Sequence, residues 1–340
     1  MESYTFICPK CGKEFEDAPK DWKCPYCGSS LNLAKKPKIF RYRIMGEGNT
    51  PLVKEKIGGK ELFFKLEYLN PTGSFKDRGT SATVQYFLKK KCSSFIEDSS
   101  GNTGISTAVY ARRVNRESYI FSPKTIAESK KKLLNLLGAK LTITETREEA
   151  FNLAVKMAKK YENACYIGHM VNPIFNYGTS FLVEEVLKKT IGITDVIVPL
   201  ASGTLLLGIF EGFKRNIDKN GGLPKIWAVQ PTRTGYLRGK VKIVHESQGR
   251  SDSADALVVS NPARINDIIN AINETKGGGI IVDDEDIKEG MRNLYSRGFI
   301  VEPSSSVVWK AFELLNREEL IGSKILIPLT GSGLKYLHSI

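Results

Sequence analysis

Lys76 stands in the run Asn70-Pro71-Thr72-Gly73-Ser74-Phe75-Lys76-Asp77-Arg78-Gly79, where a tight turn delivers one lysine to the start of a helix. The chemistry open to it is attack on a carbonyl, for which the side chain must be a free amine. Asn70-Pro71 and Thr72-Gly73 are breaker pairs that end the apolar segment Leu62 to Leu66. Ser74 is placed to cap a helix that runs on through Thr80 and Tyr86. The positive end of that helix disfavours an ammonium and so favours the amine.

Three other loops have the composition of ligand loops, each after an apolar strand. Ser99-Ser100-Gly101-Asn102-Thr103-Gly104 follows the expected strand Ser94 to Glu97 and opens a helix expected over Ile105 to Ala111. Its hydroxyls, amide and unpaired helix-start N–H groups make a nest suited to a carboxylate. Pro199-Leu200-Ala201-Ser202-Gly203-Thr204-Leu205 lies between Val196-Ile197-Val198 and a helix expected over Leu206 to Phe213. Small residues there let backbone N–H groups approach a phosphate, with Ser202, Gly203 and Thr204 as donors. Leu329-Thr330-Gly331-Ser332-Gly333 follows the strand ending at Pro328.

Four of the six cysteines form Cys8-Pro9-Lys10-Cys11 and Cys24-Pro25-Tyr26-Cys27, each pair followed by glycine. Two such knuckles can set four thiolates around one zinc ion. With no histidine nearby, a closed structural zinc ribbon is expected over residues 1–34. Leu33 to Ile39 reads as a linker. Cys92 and Cys165 read as isolated, buried or inert residues.

The elements that must position these groups are visible as short apolar runs alternating with helical patterns, the mark of parallel strands joined by crossover helices. Strands are expected over Glu61 to Leu66, Ser94 to Glu97, Ser118 to Phe121, Lys140 to Ile143, Asp195 to Pro199, Lys225 to Val229, Gly279 to Val282 and Lys324 to Pro328. A helix over Ile126 to Leu137 closes at Gly138. The fold class is α/β, and in such sheets ligands gather where strands end and helices begin. A length of 340 residues suits two lobes. Fifty Lys plus Arg against 37 Asp plus Glu give +13, spread in short groups such as Lys89-Lys90-Lys91. That is a solvated surface with a secondary attraction for a phosphorylated substrate, and no nucleic-acid module is recognisable. No membrane span and no export signal is evident, so a cytoplasmic location is expected.

The Lys76 run resembles the lysine motif of the fold-type II pyridoxal-phosphate enzymes, and in this wording the motif of their threonine-synthase branch. Matching segments run from Gly48-Asn49-Thr50-Pro51-Leu52 to Lys335. The resemblance implies a tryptophan-synthase-β-like fold of two three-layer α/β/α lobes. The large lobe would hold residues 35–82 and 181–340 and the small mobile lobe residues 83–180. It implies that pyridoxal 5'-phosphate is held by Lys76, with Asn102 at its phenolic oxygen, Thr330 at its ring nitrogen, and Ala201, Ser202, Gly203, Thr204 and Leu205 around its phosphate. Ser99, Ser100 and Thr103 would take the carboxylate of a small amino-acid substrate. A homodimer and a zinc ribbon of Cys8, Cys11, Cys24 and Cys27 complete the expectation. Val301 to Ser306 looks like a family segment that packs near the site without a catalytic role.

Two departures bear on the substrate. Ala201 and Ser202 stand where the family's phosphate loop has Gly and Asn. The stretch His169-Met170-Val171-Asn172-Pro173-Ile174-Phe175 lacks the Asn-Ser pair and Arg that grip the substrate phosphate in better-known threonine synthases. His169 or Lys124 would have to serve instead. The first expectation is conversion of O-phosphohomoserine to threonine. The second is a dehydratase of threonine or serine, or a β-replacement on O-phosphoserine. A zinc-ribbon binding protein with a vestigial catalytic fold is the third.

Overall fold

A computed structural model describes residues 4–35, 43–99 and 101–336. The described residues up to Glu47, with Lys76 to Gly178, make one compact unit, and Gly48 to Phe75, with Thr179 onward, make a second. The boundary expected at residue 82 therefore falls at 75, and the first thirty-odd residues group with the lobe that carries Lys76.

Three short strands open the chain: β1 (Thr5–Ile7), β2 (Glu14–Phe15) and β3 (Asn32–Lys35). They form an antiparallel sheet in the order β2-β1-β3. Leu33 to Lys35 are thus sheet rather than linker, because Leu33 pairs with Phe6. The rest of the expected linker, to Ile39, lies outside the described residues. The chain next gives the hairpin β4 (Leu52–Ile57) and β5 (Lys60–Lys65) to the second unit. Gly58 and Gly59 make its turn with φ of +56° and +78°, a conformation that glycine adopts at little cost.

The first unit resumes with α1 (Lys76–Leu88), β6 (Ser94–Glu97), α2 (Asn102–Arg113), β7 (Glu117–Pro123), α3 (Glu128–Leu136), β8 (Lys140–Thr144), α4 (Arg147–Lys160) and β9 (Ala164–Tyr166). Its four strands are all parallel, in the order β8-β7-β6-β9. Right-handed crossovers put α2 and α3 on one face; the return from β8 to β9 runs the other way and puts α4 on the opposite face. Ile105 and Ala108 of α2 pack with Ile120 and Leu134, and Ala150, Ala154 and Ala158 of α4 are fully buried.

Helix α5 (Pro173–Leu187) leads into the second unit, followed by β10 (Asp195–Pro199), α6 (Thr204–Arg215), α7 (Ile217–Asn220), β11 (Lys225–Pro231), β12 (Ile243–Glu246), α8 (Ile265–Glu274), β13 (Gly278–Val282), α9 (Asp284–Tyr295), α10 (Pro303–Arg317) and β14 (Lys324–Pro328). Seven strands align as β12-β13-β11-β10-β14-β5-β4, parallel except for β4. Successive strand residues face opposite sides, and the core divides accordingly. Phe64, Ile197, Val229 and Ile327 join Ile287, Val308 and Phe312 from α9 and α10 on one face. Phe63, Val196, Val198 and Leu326 join Leu182, Leu206 and Ile272 from α5, α6 and α8 on the other. The four- and seven-stranded sheets therefore each lie between two helical layers, as the α/β reading expects.

Two expectations are corrected here. Cys92 and Cys165 are joined in a disulfide across 73 positions, with Cα atoms 5.9 Å apart. They looked isolated because parallel pairing, which sets Ser94 opposite Ala164, brings distant positions into register. Helices α2 and α6 begin two to three residues earlier than the apolar pattern indicated, at Asn102 and Thr204, since polar first-turn residues carry no hydrophobic signal. Among the described residues no helix is long and apolar enough to cross a membrane.

Candidate active site

The turn before Lys76 is fixed by the second unit. Asn70 is its anchor: its Oδ1 accepts from the Gly48 N–H at 2.8 Å, and its Nδ2 donates to the Glu67 carbonyl at 2.8 Å and carboxylate at 3.0 Å. Thr50 donates to the same buried carboxylate at 2.7 Å. Gly73 turns the chain at φ +75°, and its carbonyl accepts from Ser332 N–H at 2.9 Å. Ser74 bridges to Gly331, and Phe75 N–H donates to the Thr330 carbonyl at 3.1 Å. Ser74 therefore lies in a small bridge to this loop, two residues before α1 begins at Lys76. The Thr330 loop is held against this turn, within the second unit.

The Thr330 hydroxyl has a defined partner, Ser305, at 2.6 Å between oxygens. Ser305 Oγ also accepts from the N–H groups of Thr330 at 2.7 Å and Gly331 at 3.0 Å. A hydroxyl that accepts from two N–H groups has its own proton to give to Thr330 Oγ1, which leaves the Thr330 proton free to point elsewhere. Ser305 lies in the segment Val301 to Ser306 noted in the sequence, where no residue was singled out; it sits in the first turn of α10.

In the same unit, β10 runs into the Pro199 to Leu205 loop. Gly203 has φ +86°, and a Cβ there would lie 2.3 Å from Ile268 Cδ1. Ser202 and Thr204 are buried, with hydroxyls 3.3 Å apart. The Ala201 carbonyl is turned away, accepting from Tyr236 O–H at 2.7 Å. The first N–H groups of α6, Thr204 and Leu205 among them, lack intrahelical partners and carry the positive end of the dipole. That is an anion cradle, with Ser202 and Thr204 as additional donors.

In the first unit, α1 and α2 lie side by side, and Ser106 donates to the buried Asp77 at 2.6 Å. This sets Lys76 and Asn102 on the first turns of adjacent helices. Phe175 stands beside α1: its ring centroid is 5.8 Å from Lys76 Nζ and its ring fills the space where Gly79 would carry a Cβ. Asn102 and Thr103 are buried, and the Ser99 hydroxyl accepts from Gly101 N–H at 3.3 Å. Ser100 lies outside the described residues.

At the end of β6, His169, a candidate from the sequence, is joined by two acids that were not singled out there. Glu97, Asp98 and His169 are all buried, with one ligand atom of each within 4.8 Å of the others. His169 Nδ1 lies 2.6 Å from Glu97 Oε1, and Tyr166 O–H donates to Asp98 at 2.6 Å. Burial pushes Glu97 up to about 8, against the opposing pull of Lys76. Asp98 is raised to about 6 by burial and by Glu97. Burial, then Lys76, holds His169 well below the ordinary histidine range, so its ring is neutral. A neutral ring offers a substrate phosphate no positive charge. Lys124 is exposed and paired with Glu145 at 2.5 Å, so its ammonium is engaged at the surface. The signal for this group was present as two consecutive acids closing an apolar strand.

Near the N-terminus Cys8, Cys11, Cys24 and Cys27 bring their sulfurs within 4.8 Å of one another. The Cys8–Cys27 and Cys11–Cys24 separations are 3.4 and 3.6 Å. Thiolates about 2.3 Å from a central zinc ion would be roughly 3.8 Å apart, so this donor set fits that ion.

Each taken in its own unit, the lysine at the start of α1, and the anion cradle of α6 with the tethered Thr330 hydroxyl, are the kinds of group that the aldehyde, phosphate and ring nitrogen of pyridoxal phosphate call for. The model of the family described as "Pyridoxal-phosphate dependent enzyme" matches residues 44–331. The threonine synthase of Methanocaldococcus jannaschii is 29% identical over 310 residues, covering 85% of this chain and 75% of that protein. That of Bacillus sp. (strain ULM1) is 30% identical over 305 residues, covering 85% and 84%. Among solved structures, a hydrogen sulfide-producing enzyme from Fusobacterium nucleatum superposes with a TM-score of 0.72 at 25% identity, covering 88% of this chain and all of that one.

Proposed function

The chain belongs to the family of pyridoxal-phosphate dependent enzymes, and from that premise we propose that it is a lyase converting O-phospho-L-homoserine and water to L-threonine and phosphate. The observation that carries this reading is that the Lys76 motif and the Thr330 loop are bonded to one another, at Phe75 and Thr330, in a chain similar to threonine synthases over 85% of its length. Pyridoxal phosphate, when bound, supplies the electron sink that makes protons on the substrate carbons removable.

The chain's own residues do the rest. Lys76 takes the cofactor and then moves protons at Cα, Cβ and Cγ, one amine sufficing because the substrate is held over it. Thr330 gives the ring nitrogen a hydroxyl rather than a carboxylate. A hydroxyl leaves that nitrogen uncharged, which moderates its pull and favours elimination and replacement along the side chain. Ser202, Gly203, Thr204 and Leu205 hold the cofactor phosphate, Asn102 the phenolic oxygen, and Ser99, Ser100 and Thr103 the substrate carboxylate. Zinc on the four cysteines is structural, and a homodimer belongs to the same reading.

The test is a substrate panel of O-phosphohomoserine, O-phosphoserine, threonine and serine, with threonine, phosphate, ammonia and 2-oxobutyrate followed together. Threonine and phosphate in equal amounts from O-phosphohomoserine are expected; their absence ends this reading. A second reading is a dehydratase or a β-replacement on O-phosphoserine; one observation, the neutral His169, favours its dehydratase arm, whose substrates threonine and serine carry no phosphate. Ammonia from threonine or serine, or phosphate from O-phosphoserine, would select it.

A further inference from the structure

We propose that Glu97, Asp98 and His169 form one proton-holding centre whose charge sets how readily Lys76 becomes a free amine. The inference rests on the reading of Lys76 as the amine that takes the cofactor. Its ground is geometric. The three side chains meet at the buried end of β6, where Glu97 Oε1 is shared with His169 Nδ1 at 2.6 Å and Asp98 Oδ1 with Tyr166 O–H at 2.6 Å. The other oxygens, Glu97 Oε2 and Asp98 Oδ2, are buried without a hydrogen-bond partner. The backbone N–H groups of His169, Gly168 and Asp98 favour a charged Glu97, yet none completes a bond to Oε2.

Two carboxylates in that setting would place two negative charges on a neutral ring out of reach of water, an expensive arrangement unless a proton or a cation joins them. His169 and Lys76 flank one ring, Phe175, whose centroid is 6.0 Å from that of His169 and 5.8 Å from Lys76 Nζ, and the charges felt at the centre are those of Lys76 from α1 and Arg147 from α4. A proton retained on the Glu97–His169 pair makes Glu97 neutral and withdraws the negative charge that would hold Lys76 as an ammonium. Loss of that proton restores the charge and keeps Lys76 protonated. Glu97 and its neighbours are thus positioning residues, acting on the lysine through the field across the unit they share.

The experiment is infrared difference spectroscopy of the full chain with its cofactor across pH, beside pH profiles of kcat for wild type and Glu97→Gln. We expect a protonated-carboxyl C=O band at neutral pH that fades as pH passes about 8 and is missing from Glu97→Gln. In the wild type kcat falls about tenfold per pH unit above that point, and in Glu97→Gln this limb is absent while borohydride still fixes the cofactor on Lys76. A wild type with no such band at neutral pH, an unchanged alkaline limb in Glu97→Gln, or one metal ion more per wild-type chain than per Glu97→Gln chain overturns the proposal. The infrared arm needs neither the variant nor a substrate. It therefore stands if Glu97→Gln fails to fold, and separates failure here from failure of the proposed reaction.

Discussion

Ser305 has three hydrogen bonds at its hydroxyl and two of its partners are backbone N–H groups buried in the Thr330 loop. Removing it in Ser305→Ala strands those donors, at about 1–3 kcal/mol, and lets the Thr330 hydroxyl turn. We expect a loss of stability of that size in urea unfolding and a fall of about 5- to 100-fold in kcat, while borohydride still traps cofactor at Lys76. Glu97 makes a prediction of opposite character. Its folded pKa is raised, so the folded chain holds a proton that the unfolded chain has released between roughly pH 4.5 and 8. Stability must therefore fall as pH rises through that window. Glu97→Gln flattens this loss, and thermal unfolding of both chains between pH 5 and 9 checks it. At this scale Lys76, Asn102 and Thr330 could be picked out as candidates because each lies within a contiguous string with its own turn residues. Ser305 and Glu97 could not, because what gives them meaning is a partner 25 positions away in one case and 72 in the other.

Helix α1 approaches α5 so closely that two glycines are required on the crossing. A Cβ on Gly79 would lie 2.1 Å from the Phe175 ring, and one on Gly178 would lie 2.5 Å from the Arg78 carbonyl and from Ala82 Cβ. Phe175 is also the ring beside Lys76 Nζ, so the spacing of the two helices and the surroundings of the lysine are one arrangement. Gly79→Ala should destabilise the chain by about 1–3 kcal/mol through overpacking. It should also displace Phe175, so cofactor retention on gel filtration falls as well as the urea midpoint. The helical pattern announced α1, but neither glycine could be read as a contact residue, since a glycine in a helix looks only like a weak position. Strands β6, β10 and β14 follow their apolar runs residue for residue, being buried along nearly their whole length. Strand β9 is three residues long, and β4 and β12 are edge strands with alternating or half-exposed residues; none of these three offers a continuous apolar run to recognise.

The N-terminal sheet is joined to the lobe that carries Lys76 by aromatic packing and by polar links. Tyr4, Phe6 and Trp22 meet Tyr86, and Trp22 also meets Phe87, both near the C-terminal end of α1. Trp22 Nε1 donates to the Tyr166 carbonyl at 2.8 Å, Lys159 pairs with Asp21 at 2.7 Å, and Lys20 donates to the carbonyls of Tyr161 and Glu162. The Cys92–Cys165 disulfide ties the segment after α1 to β9 at the same corner, where it lines a cavity of about 320 Å³ with Trp22, Tyr86, Phe87 and Tyr166. The four-cysteine cluster holds the knuckles from which Trp22 and Phe6 project, so its metal would support the helix of Lys76 from the far end. Closing a loop of this length contributes about 2–4 kcal/mol, and a closed zinc site contributes folding energy outright. Reductant alone is expected to lower Tm by the smaller amount. Cys24→Ser, or a strong chelator, should release one zinc ion per chain and lower Tm further. The fluorescence of Trp22 should then shift to the red as it leaves its place between Phe6 and Phe87, a readout independent of turnover. If the zinc-free chain keeps both its Tm and its tryptophan emission, the sheet is an appendage and the support of α1 lies entirely within its own lobe.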